Sequence, residues 1–244
     1  MLRTFILFVS ILCSADAFAL SQEEVVAGAE KMYRKRMAEL SQRFILDDDA
    51  VFLARVERVS QPLLQQAKHD YPAAAEWRWE IHTSSEPDEA AYCMAGGKLL
   101  INQNQVRNLN LSDAELAMLL SHEMQHALQQ HNLKEYLEAM RLFPDWKTRP
   151  FSELEEAVDN DTALMQALSA LNLNQESEAD IEGMILAWRA GWRANDLAQF
   201  FKKLTRASSK PNFDSTSHPA PGRRWQAARV LAATLADKKK DVLP

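Results

Sequence analysis

The sequence contains little glycine, and it has neither an excess of positive charge nor internal repeats. Only 6 of its 244 residues are glycine, and the apolar residues mostly recur at helical spacing. The formal net charge is -6, without a basic stripe, which argues against nucleic-acid binding. No repeat or long low-complexity stretch interrupts the chain. The pattern predicts a helix-rich α+β domain with a small β-sheet at one side.

Cysteine is almost absent, and one of the 2 cysteines lies in an N-terminal segment with the features of an export signal. Residues 1–19 combine a positively charged start, a short apolar run and small residues up to Ala19. Cleavage after Ala19 would leave Cys93 alone, so that no internal disulfide is possible. An exported domain without disulfides needs a core large enough to hold itself together.

A long hydrophobic run is missing as well. The apolar part of residues 1–19 is too short to cross a bilayer comfortably. We therefore expect a periplasmic or secreted protein that keeps no membrane span after signal cleavage. Residues 20–244 are expected to form a single domain.

The clearest chemical signal is the HExxH pattern from His122 to His126. On a helix these two histidines lie one turn apart on the same face, so both imidazoles can bind one Zn²⁺. Glu123 would then lie beside the metal-bound water as a general base. The competing interpretation is a surface helix with two unrelated histidines. It is disfavoured because both lie close to a well-populated apolar stripe, where uncoordinated imidazoles need partners.

A catalytic zinc needs a third protein ligand and one open position. The metzincin pattern would require glycine and histidine at two positions that are Gln129 and Asn132 here, so that class is excluded. The other solution takes a glutamate from a later helix. Glu176 and Asp180 have helical i, i+4 spacing and can both face the metal helix. Glu176 is then the third ligand, and Asp180 accepts the free N–H of a ligating histidine, most simply His122.

An acidic helix start is the competing interpretation of residues 176–180, because carboxylates favour the first turn of a helix. Ala179 and Gly183 favour the metal site instead, since small residues allow two helices to pack closely. Glu178 points elsewhere on this helix and is the weaker candidate ligand.

The remaining pattern predicts where the other elements lie. Ser112 and Glu115 form a capping box, which predicts the start of the HExxH helix. Residues 144–175 look irregular and could be a lid or a plain connecting segment. The elements expected along the chain are helices at 22–40, 47–67, 113–131 and 174–191, a helix through Leu197 and Phe201, a loop at 207–222, a last helix from Arg223, and strands at 77–81 and 98–102.

With these motifs the chain resembles the HtpX/BepA-like gluzincin zinc metallopeptidases, the soluble relatives of the CaaX prenyl proteases. The resemblance spans about residues 45–232. It rests on four segments in the family's order: the Gly96-Gly97 strand, the LSxxEL…HExxH segment with the outlying His131, the ExEADxxG helix, and Ser217-His218-Pro219 followed by Arg224. It departs from the family at Gln125, where glycine is usual. The resemblance implies a mostly helical α+β gluzincin domain with a small sheet beside the HExxH helix and one zinc ion per chain.

The resemblance also implies roles for the loop residues. His218 and Arg224 are candidate donors to the developing oxyanion. In such enzymes the loop histidine can instead occupy the open zinc position and keep the enzyme latent. An ordinary exposed loop residue is the competing interpretation of His218. His131 is expected to hydrogen-bond locally rather than bind metal.

The expected function is a zinc endopeptidase acting on extended or misfolded envelope proteins in protein quality control. Lys98–Asn102 is expected to be an exposed edge strand to which an extended peptide substrate could pair. Two alternatives stay open: a latent, chaperone-like periplasmic binding protein with a rarely used zinc site, and a zinc hydrolase of a non-peptide bond. The pattern leaves the oligomeric state open.

Overall fold

A computed structural model describes residues 20–87 and 89–240. The proposed signal segment, residues 1–19, lies outside the described residues. The elements along the chain are α1 (Gln22–Gln42), α2 (Ala50–Asp70), α3 (Pro72–Ala75), β1 (Glu80–Ser84), β2 (Tyr92–Met94), β3 (Lys98–Asn102), α4 (Gln103–Asn108), α5 (Asp113–Leu128), α6 (His131–Leu142), a 3₁₀ turn (Pro144–Thr148), α7 (Phe151–Asn160), α8 (Thr162–Arg189), α9 (Ala194–Ala207) and α10 (Pro221–Lys240). This mostly helical α+β architecture confirms the predicted fold class.

The three strands form one small sheet in the order β1-β3-β2. β1 pairs with β3 in parallel, and β2 pairs with it antiparallel. The expectation that Lys98–Asn102 is an exposed edge strand is therefore wrong. Gly96 and Gly97, both with φ of +78°, turn the chain so that β2 folds back along β3. The edge strands are β1 and β2, and β2 packs beside α5, whereas all of β3 is buried between them.

Helix α5 is the central element, since 12 of its 16 residues are buried. Its predicted start is confirmed: the Ser112 N–H donates to Glu115 Oε2 at 2.6 Å, closing the capping box. Its predicted end is wrong, because α5 stops at Leu128. Gln130 adopts a left-handed conformation with φ of 56°, and the chain then enters α6 at His131.

Residues 144–175 are more regular than the sequence pattern suggested. They contain the 3₁₀ turn, α7 and the first half of α8, which begins at Thr162 instead of near residue 174. Asp161 caps α8 by accepting from the backbone N–H of Ala163 at 2.8 Å. Pro144 and Pro150 stand at or before the first turn of helices, where the missing N–H is tolerated.

The C-terminal part confirms the predicted loop and the two predicted helices. The chain leaves α9 at Ala207 and re-enters a helix at Pro221, two residues before the predicted start. α10 packs along α9 and against α8, so that Arg224 in the first turn of α10 reaches Asp180 of α8. None of the helices within residues 20–87 and 89–240 has the length and apolar content required to span a bilayer.

Candidate metal centre

The close crossing of α5 and α8 creates the candidate site. Gly183 of α8 lies against the backbone of α5. A Cβ atom at this glycine would lie 2.9 Å from the backbone nitrogen of His122 and 3.0 Å from its Cα. Only glycine allows this approach, which confirms the packing role predicted for Gly183. The approach brings the acidic face of α8, with Glu176 and Asp180, against the histidine face of α5.

Three potential ligand side chains meet between these helices. His122 Nε2 and His126 Nε2 lie 3.3 Å apart. Glu176 places Oε2 at 3.4 Å from His122 Nε2 and Oε1 at 3.3 Å from His126 Nε2. Tetrahedral zinc with bonds of about 2.0–2.1 Å would separate its ligands by about 3.4 Å. The three side chains thus have the chemistry and the mutual spacing of a zinc ligand set.

The charges around these atoms favour a cation. Burial alone would lower the pKa of His122, but Glu176 and Asp180 outweigh it and raise this pKa to about 10. Burial would raise the pKa of Glu176, but the neighbouring histidines, chiefly His122, hold this pKa far below its usual range. Glu176 Oε2 is buried without a hydrogen-bond donor, as expected for an oxygen reserved for a cation. A divalent metal would satisfy both observations, so the residues present fit the ion.

Glu123 lies between the two histidines and is only partly buried. Burial raises the pKa of its carboxyl group, although the neighbouring histidines act in the opposite direction. A raised pKa suits a group that must take up a proton and release it again. Glu123 also lies near the buried thiol of Cys93, which places β2 beside this carboxylate. Burial raises the pKa of Cys93 well above its usual value, so the thiol stays protonated.

Asp180 and Arg224 form a buried, bidentate ion pair behind His122. Arg224 donates from Nε to Asp180 Oδ2 at 2.8 Å and from Nη2 to Oδ1 at 2.6 Å. Asp180 Oδ1 is also 3.0 Å from His122 Nδ1, on the side of the ring away from Glu176. The structure therefore places Asp180 where the sequence predicted it. It places Arg224 on Asp180, a pairing that the sequence pattern did not reveal.

His218 approaches the same site from the loop before α10. Its Nε2 lies 3.4 Å from Glu176 Oε2, the spacing also found between Glu176 and His122. The side chain is 53% exposed, and its Nδ1 lies 2.9 Å from the Ser217 hydroxyl. The Ser215 hydroxyl accepts the His218 backbone N–H at 2.8 Å. His218 is thus held at the outer side of the ligand cluster.

His131 and Glu178 extend the site on the side of His126. His131 Nδ1 lies 3.1 Å from His126 Nδ1, and its Nε2 lies 3.1 Å from Glu178 Oε2. The local hydrogen bonding expected of His131 is therefore observed. Glu178 points away from the three ligand atoms but contacts the site through this histidine.

Gln125, the departure from the family pattern, turns away from the ligand atoms. Its Oε1 accepts from the Tyr71 hydroxyl at 3.2 Å and from Gln129 Nε2 at 3.3 Å. Its side chain is buried between α5 and α2, so its bulk does not enter the cluster. The substitution leaves the ligand set complete.

Comparison with known proteins identifies the family. The model of peptidase family M48 matches residues 53–232, which include β1–β3, α5, α8 and the loop with His218. The chain belongs to peptidase family M48. This membership confirms the resemblance to the HtpX/BepA-like metallopeptidases.

Individual relatives of this M48 domain are distant. The chain is 26% identical over 156 residues to the "Beta-barrel assembly-enhancing protease" of Yersinia pestis, covering 58% of this chain and 32% of that protein. It is 25% identical over 225 residues to "Metalloendopeptidase OMA1, mitochondrial" of Bos taurus, covering 84% of this chain and 42% of that protein. The matched region thus spans less than half of either relative.

Proposed function

We propose that this M48 chain is a zinc endopeptidase that hydrolyses peptide bonds in extended or misfolded envelope proteins. The observation that carries the proposal is the convergence of His122, His126 and Glu176 at zinc-like spacing beside the carboxylate of Glu123. The name of the Yersinia pestis relative, an assembly-enhancing protease, supports a role in envelope protein quality control. The signal-like residues 1–19 support a periplasmic or secreted location.

The proposed chemistry divides between the ion and the protein. A zinc ion held by His122, His126 and Glu176 would polarise the scissile carbonyl and acidify a water molecule. Glu123 takes the proton of the attacking water and later delivers it to the leaving amine. The raised pKa of Glu123 lets this carboxylate hold the proton between the two steps.

The polar side chains around the cluster have separate proposed roles. Asp180 receives the N–H of His122, and Arg224 holds Asp180 in place. Because two nitrogens of Arg224 are used in this pair, the geometry favours a positioning role for Arg224 over oxyanion binding. His218 is then the remaining candidate for stabilising the oxyanion.

The proposed substrate route is the edge of β2 that faces away from β3. β2 ends the sheet within the described residues, and its Cys93 lies near Glu123. An extended peptide that pairs with β2 would therefore pass the catalytic carboxylate. Such recognition depends on backbone hydrogen bonds, so it favours unfolded or unassembled chains over a fixed side-chain sequence.

The proposal is tested by casein hydrolysis with protein that starts at Leu20, with the zinc content measured on the same sample. We expect one zinc per chain, and loss of activity by about 10²–10⁴-fold in Glu123→Gln with the zinc retained. Unchanged activity in Glu123→Gln would contradict the assignment of the base. Absence of zinc after metal loading would contradict the ligand set.

A second candidate function is a latent, chaperone-like binder, which the position of His218 favours. With Nε2 at 3.4 Å from Glu176, His218 is close enough to complete the ligand cluster and block water. Casein hydrolysis should then increase in His218→Ala, whereas His69→Ala, a change at an exposed histidine of α2, should leave it unchanged. Zinc binding without cleavage in all variants, together with rescue of envelope assembly by Glu123→Gln, would favour the binder.

A further inference from the structure

We propose that His131 and Glu178 form a positioning pair that orients His126 for metal binding. The inference rests on the proposed metal site and extends it beyond the three ligands and Asp180. The geometry behind it is a line of three side chains: His126 Nδ1 to His131 Nδ1 at 3.1 Å, then His131 Nε2 to Glu178 Oε2 at 3.1 Å.

The break between α5 and α6 makes this contact possible. On a continuous helix, His131 would be rotated by about 140° from His126, five residues earlier, and could not face its ring. Gln130 in the left-handed conformation interrupts the helix and redirects the chain. The two rings then meet edge to face, with centroids 4.9 Å apart. His131 is only 2% exposed, and Gln175 Nε2 donates to its carbonyl at 3.1 Å, so its position is held from both sides.

Only one assignment of donors and acceptors is consistent for the ring nitrogens of His126 and His131. His126 Nε2 faces Glu176 and His122, so it is the metal-binding nitrogen and carries no proton. The proton of a neutral His126 is therefore on Nδ1 and is donated to His131. His131 Nδ1 is then an acceptor, which leaves the His131 proton on Nε2, facing Glu178. Each ring nitrogen thus has one hydrogen-bonding role, and the series of hydrogen bonds ends at the carboxylate of Glu178.

The His131–Glu178 pair provides a hydrogen-bond acceptor behind the ring of His126, as Asp180 does behind the ring of His122. Asp180 lies on the same face of α8 as Glu176 and reaches His122 Nδ1 directly at 3.0 Å. Glu178 is two residues from Glu176, about 200° around the helix, and cannot reach His126 itself. His131 bridges this gap. One helix thereby supplies a metal ligand and the terminal carboxylate behind each histidine ligand, which fixes both tautomers.

The first experiment measures zinc affinity by competition with a chelator. We expect His131→Leu to weaken zinc binding by about 10–100-fold, because His126 Nδ1 loses its acceptor. His131→Gln should stay within about threefold of wild type, because the Gln oxygen can accept from His126 and its amide can donate to Glu178. Glu178→Gln should give a smaller loss than His131→Leu, since its amide oxygen still accepts a hydrogen bond but the negative charge is gone.

The matched control is Glu182→Gln, which makes the same change in charge one turn further along α8 and should leave zinc affinity unchanged. A second measurement uses the Co²⁺-loaded protein, in which the ring N–H protons of the two ligand histidines give paramagnetically shifted NMR signals. The His126 N–H should exchange rapidly with solvent in His131→Leu and slowly in His131→Gln. A general loss of folding would not separate these two variants in this way.

The outcomes separate this inference from the proposed function. If the wild-type chain binds zinc and His131→Leu binds it equally well, the positioning pair is overturned and the metal site stands. Equal losses in Glu178→Gln and Glu182→Gln would also overturn it, since they would indicate a general charge effect. A wild-type chain that binds no zinc would overturn the metal site and this pair with it.

Discussion

The contact between Gly183 and α5 predicts a large effect from a single methyl group. In Gly183→Ala the new Cβ would lie 2.9 Å from His122 N, whereas ordinary contact begins at 3.4 Å. α5 and α8 must therefore separate by about 0.5 Å, because backbone atoms cannot rotate away as a side chain does. Overpacking of this kind costs about 1–3 kcal/mol, and alanine recovers about 1 kcal/mol through its helix propensity. We expect a net loss of about 1 kcal/mol in the free energy of unfolding, with an upper bound of about 2 kcal/mol.

The same separation should damage the metal site more than the fold. Glu176 and the two histidines lie on opposite helices, so a shift of about 0.5 Å exceeds the roughly 0.2 Å tolerance of zinc–ligand distances. Zinc affinity should fall at least about tenfold. Urea unfolding followed by tryptophan fluorescence, without zinc, measures the stability change, and chelator competition measures the affinity.

Gly28→Ala is the matched control for this prediction. Its added Cβ would meet Glu155 and Phe151, which are side-chain atoms at the junction of α1 and α7, away from the ligands. It should leave zinc affinity unchanged, whatever its effect on stability. Wild-type stability together with wild-type zinc affinity in Gly183→Ala would refute the argument from close helix packing.

Three further predictions concern other parts of the structure. Tyr33→Phe removes a buried hydrogen bond of 2.6 Å from the Tyr33 hydroxyl to the carbonyl of Leu99. Urea titration should show a free energy of unfolding that is lower by about 1–3 kcal/mol. An unchanged value would show that water replaces the donor. Burial and a nearby carboxylate raise the pKa of Glu135 to about 7, from 4.5. The contribution of Glu135 to stability is therefore greatest below pH 4.5 and is lost as the pH rises through 7. Over this range the free energy of unfolding of the metal-free wild type should fall by about 3 kcal/mol relative to that of Glu135→Gln. Parallel pH profiles of the two proteins would contradict this prediction. Arg224→Lys cannot reproduce the bidentate pair with Asp180 and should weaken zinc binding about tenfold in chelator competition; unchanged affinity would show that Asp180 holds its orientation alone.

The local parts of the site were predictable because their spacing is helical. The i, i+4 pairs on α5 and α8 put two histidines on one face and Glu176 with Asp180 on another. The capping box at Ser112 located the start of α5 for the same reason, since its two partners are three residues apart. Glycine at position 183 indicated close packing, and the structure shows which backbone it touches.

Other features could not be predicted from local spacing. The edge of the sheet was misassigned because strand order depends on pairing between segments, and β2 is only three residues long. The start of α8 was misplaced by about twelve residues because its first half packs against α6 and α7 instead of the metal helix. The end of α5 depends on a left-handed Gln130, a conformation that glutamine rarely signals in sequence.

Local spacing in the sequence was sufficient to indicate the candidate metal chemistry, since it contains an HExxH helix, a later acidic helix and the motifs of the family. Within one helix the backbone repeat converts spacing directly into a shared face, so these residues could be read from the sequence. The side chains that lie behind the candidate ligands could be identified only from the packing of the helices. Arg224 contacts Asp180, 44 positions earlier in the sequence, and His131 contacts Glu178, 47 positions later. Contacts between residues so far apart in sequence depend on how separate helices pack, which no local pattern specifies.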